Sequence, residues 1–155
     1  MQPHFRFPLP PGQYRFDRDT FGEERTWNPD GERPRRHQGN DILAARGTEV
    51  LAVGPGRVQA MEWSEYGGWT VLLGLAGTPY CAYYSHLDGF APGLRPGAVV
   101  AAGDVLGYVG DTGYGPPGTK GRFWPHLHFE LRRGCRGEAV NPYPYLRSWE
   151  AMASR

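Results

Sequence analysis

The sequence predicts a single all-β domain, and three observations support that prediction. The chain has 155 residues, of which 23 are glycine and 15 are proline, about a quarter of the total. This high glycine and proline content is more typical of a protein with many tight turns than of a helical one. Hydrophobic residues (39%) and aromatic residues (14%) supply ample material for a core, which argues against disorder. No stretch before residue 140 has a helical period of any length.

The predicted elements follow a change of pattern near Asp41. The first 36 residues are rich in proline, arginine and aspartate, and we expect residues 1–20 to form an arm that wraps on the domain. Short apolar runs punctuated by glycine then predict strands at 50–53, 57–63, 69–73, 80–86, 98–100 and 105–109. A Gly/Pro-rich loop, 110–121, leads to a last strand that contains the sequence HLH. A short helix is predicted at 145–152, and we expect residues 147–155 to form a C-terminal tail.

Charge and hydropathy suggest no nucleic-acid or membrane partner. The chain carries 17 Lys and Arg against 16 Asp and Glu, a net charge of +1, which favours neither nucleic acid nor an anionic membrane. No stretch is long enough to span a bilayer. The first residues, MQPHFRFPLPPG, lack the apolar segment of a signal peptide. We therefore expect either export by another route or a trimmed mature form.

The two cysteines leave two interpretations open. Cys81 and Cys135 are far apart in sequence and fit neither a CxxC metal pair nor a disulfide-rich scaffold. They are either two buried thiols or one disulfide.

Two of the five histidines lie one residue apart, in the segment WPHLHFEL. In a strand, His126 and His128 point to one face while Leu127 and Phe129 point to the other. Two imidazoles about 7 Å apart can hold a metal, or one can bind the metal while the other transfers a proton. A solvated strand face is an equally good interpretation of this motif alone, because HxH is a weak signal.

The other histidines strengthen the metal hypothesis. His37 and Asp41 form an HxxxD pair, and His86 ends a predicted strand. In isolation, Asp41 would more simply close a turn and His86 would lie in an exposed loop. A catalytic zinc site needs three nitrogen or oxygen ligands and an open position for water, which two histidines and one carboxylate can supply. His4 lies in the arm and is most simply an exposed bystander.

Taken together, these motifs resemble the lysostaphin-type zinc endopeptidases, also called LytM-domain or M23 peptidases. The resemblance depends on HxxxD, on a strand ending in Ser85-His86-Leu87, and on HLHFE at 126–130. It covers roughly residues 21–146, which we take as the catalytic domain. Matching connecting elements lie at 47–58, 67–71, 97–104 and 141–142. The resemblance implies an all-β antiparallel barrel-sandwich hybrid with a short C-terminal helix.

The resemblance also implies a division of labour among the site residues. His37, Asp41 and His128 would bind one Zn²⁺ per chain, and His86 and His126 would be the catalytic pair beside the metal-bound water. Water bound to zinc can have a pKa near 7, so hydroxide becomes available at neutral pH. Which of His86 and His126 acts as base, stabilises the oxyanion or protonates the leaving amine stays open.

The implied function is hydrolysis of peptide bonds in bacterial peptidoglycan, in a cross-bridge or a stem peptide. An extracellular or cell-envelope location and a monomeric state are expected. Loops at 21–36, 61–68, 87–97 and 110–125 are predicted to wall the substrate groove. Tyr114, Phe123 and Trp124 either form an aromatic wall of that groove or pack the loop that carries them.

Three alternatives to this function differ from it in the site or the motif that each requires. A non-catalytic LytM-like regulator, which binds wall peptide or a partner hydrolase, would have a degenerate site, whereas all five positions are retained here. A biotinyl or lipoyl carrier needs its lysine at a hairpin tip, and the only lysine, Lys120, lies in a Pro/Gly loop instead. Other zinc peptidases with His/Asp ligand sets have a different motif spacing.

Overall fold

One continuous antiparallel sheet dominates the fold. The computed structural model of the chain describes residues 5–25 and 35–153, and nine of the strands in these residues belong to that sheet. The elements in chain order are β1 (Glu24–Arg25), β2 (Arg35–Arg36), β3 (Asn40–Leu43), β4 (Glu49–Leu51), β5 (Gly56–Ser64), β6 (Gly68–Leu75), β7 (Tyr80–Phe90), β8 (Val99–Val100), β9 (Val105–Val109), β10 (His126–Arg133), β11 (Ala139–Val140) and α1 (Tyr143–Ala153). The mostly antiparallel β fold with a short C-terminal helix confirms the predicted fold class.

The sheet branches around two long strands. Its main path runs β11-β10-β7-β6-β5-β8, while β3 also pairs with β10, and β9 pairs with both β4 and β7. Strand β7 changes partner at His86, because Ser85 pairs with β10 whereas Leu87 pairs with β9. β1 and β2 form a separate two-stranded ladder. The strand predicted at 80–86 therefore extends to Phe90, because its C-terminal part pairs with β9.

Strand β10 divides the core from the polar face, as its alternating pattern predicts. Leu127, Phe129 and Leu131 are buried in the hydrophobic core, and the Phe129 ring packs edge-on against Tyr84 at 5.3 Å between centroids. The intervening side chains, including His126 and His128, line a groove on the opposite face of the strand.

Both ends of the described chain pack against this core. Phe7, Leu9 and Phe16 of the N-terminal segment are buried, and Arg15 exchanges backbone hydrogen bonds with Leu43 at 2.8 and 3.0 Å. Helix α1 buries Leu146 and Trp149. It spans Tyr143–Ala153, so it begins two residues earlier and ends one residue later than the predicted helix at 145–152. Asn141 Oδ1 accepts the backbone N–H of Tyr143 at 3.0 Å and Pro142 follows, a combination that favours helix initiation. The division into 1–20, 21–146 and 147–155 stays a prediction.

A disulfide decides between the two interpretations of the cysteines. Cys81 of β7 is bonded to Cys135, just after β10, with 5.1 Å between their Cα atoms. The bridge thus fastens the end of β10 to its neighbour in the sheet. Within the described residues, no helix is long and apolar enough to cross a membrane.

Candidate metal centre and active site

Neighbouring strands bring the predicted site residues together on one face of the sheet. His128 pairs with Asp41 on β3 and with Ser85 on β7, so the HxxxD and HLH motifs meet across adjacent strands. The resulting groove has a volume of about 790 Å³. Its lining residues are Arg36, His37, Gln38, Asp41, Ser64, Tyr66, Gly67, Tyr83, Ser85, His86, Tyr114, Phe123, His126, His128, Glu130 and Arg132.

Three potential ligand atoms converge at the bottom of the groove. His37 Nε2 lies 2.8 Å from His128 Nδ1 and 3.0 Å from Asp41 Oδ1, and His128 Nδ1 lies 3.1 Å from the same carboxylate oxygen. Ligand atoms at the corners of a zinc tetrahedron are about 3.3 Å apart, given Zn–N distances near 2.0–2.1 Å. The cluster therefore has the composition and spacing of three ligands to one metal ion.

The second nitrogen of each imidazole fixes which nitrogen faces the cluster. His37 Nδ1 donates to the carbonyl of Thr20 at 2.7 Å, and His128 Nε2 donates to Glu130 Oε2 at 2.7 Å. Since a carbonyl and a carboxylate only accept, the hydrogens lie on those nitrogens. In the neutral form of each imidazole the lone pair is therefore on His37 Nε2 and His128 Nδ1, the nitrogens that face the cluster, as metal binding requires. Thr20 also accepts the backbone N–H of Asp41 at 2.9 Å, so one residue holds both ends of HxxxD.

The carboxylate of this cluster is kept charged by its neighbours. Burial of Asp41 acts to raise its pKa, but hydrogen bonds from His128 and His37 outweigh that effect and hold the pKa well below its ordinary value. Burial likewise acts to lower the pKa of His128, and its bonds to Asp41 and Glu130 raise it instead to about 9. A proton on His128 therefore stabilises the cluster. A metal cation that bound to the same atoms would replace that proton.

A glycine allows the HxxxD segment to approach β10. A Cβ on Gly39 would clash with the carbonyl oxygen of Phe129 and would lie 2.9 Å from Cγ of Glu130. Only glycine fits here without moving one of the two strands.

His86 occupies a strained position where β7 changes partner. Its φ is 63°, a left-handed conformation that costs a non-glycine residue about 1–2 kcal/mol. Its backbone N–H bonds the carbonyl of Gly67 at 2.5 Å, and its Nδ1 donates to the carbonyl of Thr112 at 2.8 Å. Burial lowers the pKa of His86 well below 6.5, with the nearby His126 acting in the same direction. His86 is therefore neutral at neutral pH, with its Nε2 unprotonated.

His126 has the same tautomer, for the same reason. Its Nδ1 donates to the carbonyl of Trp124 at 2.9 Å, and its Nε2 lies 3.6 Å from Asp41 Oδ1. Burial lowers its pKa, although the charge of Asp41 opposes the shift. The rings of His86 and His126 are 4.7 Å apart, so two neutral imidazoles lie beside the ligand cluster.

The groove walls agree only in part with the sequence prediction. Ser64 and Tyr66 line the groove from 61–68, and Tyr114 and Phe123 line it from 110–125. No residue of 87–97 lines it, because β7 continues to Phe90 and pairs there with β9; that prediction is wrong. Within 21–36, Arg36 lines the groove, while 26–34 lie outside the described residues, as does His4.

Two of the three aromatic residues of the last loop line the groove, and the third has neither of the two predicted roles. The rings of Tyr114 and Phe123 pack against His86 at 5.9 and 4.6 Å. Trp124 is 82% exposed and lies outside the groove, against a separate apolar depression that includes Leu43 and Pro125. The aromatic wall therefore consists of two residues, not three.

Four residues that contact the site histidines or their partners were missed from the sequence. Glu130 carried a signal, because it lies two residues after His128 on the same face of a predicted strand. No sequence pattern indicated Thr20 or Thr112, because each accepts a hydrogen bond from a site histidine through its backbone carbonyl and lies in a distant segment. Arg132, the fourth, contacts Glu130 through Nε and Nη2.

The fold and this ligand cluster define a β-sheet protein with a metal-binding His/Asp/His group. The chain belongs to peptidase family M23, whose family model matches residues 35–142. The resemblance predicted from the HxxxD and HLH motifs is thereby confirmed.

Individual relatives support this membership. The chain is 41% identical over 146 residues to an L-Ala--D-Glu endopeptidase of Bacillus subtilis (strain 168), covering 93% of this chain and 43% of the relative. A structure named lytM from Ruminococcus gnavus ATCC 29149 superposes with a TM-score of 0.78 at 34% identity, over 99% of this chain and 62% of that one. A zinc-containing peptidase of Vibrio cholerae gives 0.68 at 26% identity, over 90% and 39%. The chain thus spans less than two thirds of each of these three proteins.

Proposed function

We propose that this protein is a zinc-dependent endopeptidase that hydrolyses peptide bonds of bacterial peptidoglycan, outside the cell or in its envelope, as a monomer. The observation that carries the proposal is the convergence of His37 Nε2, His128 Nδ1 and Asp41 Oδ1 within 3.1 Å of one another. The other ring nitrogen of each imidazole already donates a hydrogen bond to a fixed acceptor. These three residues are the proposed ligands.

The donor set favours zinc among the divalent metals. Two imidazole nitrogens and one carboxylate oxygen, with space left in an open groove, match the ligand count of catalytic zinc sites. Magnesium and calcium prefer sites made of oxygen atoms alone. The zinc-containing peptidase of Vibrio cholerae, which shares the fold, adds support. Zinc held there would polarise the scissile carbonyl and acidify a water molecule.

His86 and His126 are the proposed proton-transfer residues. Both present an unprotonated Nε2 to the groove, because Nδ1 of each donates to a backbone carbonyl. One Nε2 can accept a proton from the attacking water, and the resulting imidazolium can deliver it to the leaving amine. The lowered pKa values of both residues keep them in the accepting form at neutral pH.

The proposed target is the bond between L-alanine and D-glutamate of the stem peptide. The Bacillus subtilis relative is named for that bond, and its match extends over 93% of this chain. The groove is open along β10, so an extended peptide can lie across the cluster.

The test combines metal content with product analysis. Purified protein should contain about one zinc per chain and should release new amino groups from peptidoglycan. Sequencing of the released ends should show D-glutamate at the new N-terminus. A chelator should abolish release, and added zinc should restore it. His4→Ala is the matched histidine control and should retain zinc and activity.

Each contrary result has a distinct meaning. Zinc with glycine at the new ends would move the target to a cross-bridge. Absence of zinc even after reloading would exclude the enzyme and would favour the non-catalytic regulator.

A further inference from the structure

The polar face of β10 continues past the ligand cluster to a second charged group. After His128, the next side chains on this face are Glu130 and Arg132, and both line the same groove. The Arg132 guanidinium lies over the Tyr83 ring, with Cζ 4.1 Å from the ring centroid. Its Nε and Nη2 bind Glu130 Oε1 at 2.9 and 2.8 Å. Stacking and pairing together give the guanidinium one fixed orientation.

Part of this guanidinium is available to a ligand. Arginine has five N–H donors, and the pair with Glu130 engages only Nε and one hydrogen of Nη2. Within 5–25 and 35–153, Nη1 makes no hydrogen bond to protein. The side chain is 24% exposed, toward the groove. Its remaining donors therefore face the space that a substrate would occupy.

The charge around the groove favours an anion. Apart from the histidines, the charged side chains that line it are two cations and two carboxylates, namely Arg36, Arg132, Asp41 and Glu130. These four charges cancel, so a bound zinc ion would leave the groove with a net positive charge. Glu130 already accepts hydrogen bonds from His128 and Arg132. Arg132 is the member of the ion pair whose remaining N–H donors can bind a ligand.

Distance limits which part of a substrate could reach this group. Arg132 folds back along β10 to Glu130, two residues from His128, and strand residues rise about 3.3 Å each. An extended peptide with its scissile carbonyl at the cluster would therefore bring a side chain about two residues away next to the guanidinium.

We propose that Arg132 binds a carboxylate of the peptide substrate about two residues from the bond that is cut, and so selects acidic over amidated wall peptides. This inference depends on the proposed function. A planar guanidinium with parallel N–H donors matches a carboxylate better than it matches a neutral carboxamide. Arg132 is thus a specificity residue, distinct from the ligand and proton-transfer residues.

A purely structural role makes a different prediction. If Arg132 only neutralised Glu130 and held it against His128, its loss would slow cleavage of every substrate by the same factor. A specificity role changes the ratio between substrates, so the ratio is the decisive quantity.

The experiment uses synthetic stem peptides, L-alanyl-γ-D-glutamyl-diaminopimelate, in which each free carboxylate is replaced in turn by a carboxamide. For one position, kcat/KM of the wild type should fall about 10- to 100-fold on amidation, the loss expected for a charge-assisted hydrogen bond. Arg132→Gln should bring that ratio close to one, and Arg132→Lys should give an intermediate value because it keeps charge without the fork. Zinc content should be measured on every variant.

The adjacent arginine provides the control. Arg133 is exposed and follows Arg132 on the strand, so it points away from the groove. Arg133→Gln removes the same charge and should leave the substrate ratio unchanged.

Two results would overturn the inference while the proposed function stood. One is equal cleavage of all carboxylate and carboxamide peptides by the wild type. The other is an equal loss on all of them in Arg132→Gln. If the wild type cut neither these peptides nor whole peptidoglycan, the proposed function itself would fail, and the inference would fall with it.

Discussion

The Nε2 atom of His128 lies 2.7 Å from Oε2 of Glu130, on the side of the imidazole opposite the ligand cluster. The two residues are two apart on β10 and therefore point to the same face. Glu130 is itself buried and bonded to Arg132. A carboxylate in this position fixes the tautomer of a ligand histidine and increases the basicity of the other nitrogen.

Loss of this carboxylate should weaken zinc binding. We expect Glu130→Gln to reduce zinc affinity about 10- to 100-fold, the usual effect of altering a partner of a metal ligand. Competition with a chromogenic chelator would measure it. The control is Glu138→Gln, which removes the same charge from an exposed residue. Equal affinities of wild type and Glu130→Gln would show that the hydrogen bond to His128 has no influence on the metal.

Variants of HLH and HxxxD should separate binding from catalysis. His37→Ala and Asp41→Ala should lose both zinc and activity, since each removes a ligand. His126→Ala should keep most of its zinc while its kcat falls about 10²- to 10⁴-fold, the usual contribution of a general acid or base. Metal analysis and turnover should be measured on the same preparations. If His126→Ala emptied the site and His128→Ala did not, the roles within HLH would be reversed.

Local periodicity explains why these residues could be predicted and others could not. Strand alternation puts His126, His128 and Glu130 on one face whatever the rest of the fold does. The carbonyl of Thr20 reaches His37 only because the N-terminal segment packs against β3, which no local pattern encodes. The wall predicted at 87–97 fails for a similar reason, because the change of partner at His86 depends on where β9 lies.

The pKa of His128 predicts a pH dependence of metal binding. It is raised to about 9 by hydrogen bonds to Asp41 and Glu130, against the opposing effect of burial. Below that pH, zinc must displace a proton, so its affinity should rise about tenfold per pH unit as the pH increases toward 9. Calorimetry in two buffers of different ionisation enthalpy would count the released proton. A zinc affinity that did not change with pH in this range would contradict the assignment.

The same shift affects the stability of the metal-free protein. Because the folded pKa of His128 lies above the unfolded value of 6.5, the proton contributes stability that is fully present below pH 6.5. That contribution is lost as the pH rises through about 9. The zinc-loaded protein should not lose this stability as the pH rises, because zinc has already displaced the proton of His128.

The disulfide should stabilise the C-terminal end of β10 against β7. Cys81 and Cys135 are 54 residues apart, and closure of a loop of that size is worth about 2–4 kcal/mol. The double variant Cys81→Ala/Cys135→Ala should lose about that much free energy of unfolding in urea and should keep its zinc. The wild type under reducing conditions is the matched comparison and should lose a similar amount. Unchanged stability in both would mean that the bridge adds nothing to the fold.

Gly39 should be required for the ligand cluster itself. A methyl group there would clash with the Phe129 carbonyl and press on Glu130, so Gly39→Ala must move β3 away from β10. That displacement separates Asp41 from His128, whose ligand atoms are now 3.1 Å apart. We expect zinc affinity to fall by more than about tenfold, since misplaced ligands cannot complete a tetrahedron.

Gly89→Ala is the matched control for this change. A Cβ on Gly89, which lies in β7, would meet no atom within 4 Å, and its φ lies outside the left-handed region. It should keep the zinc affinity of the wild type in the same chelator competition. If Gly39→Ala also bound zinc normally, β3 would have to shift without carrying Asp41 with it. The close approach of the two strands would then not be what positions the ligands.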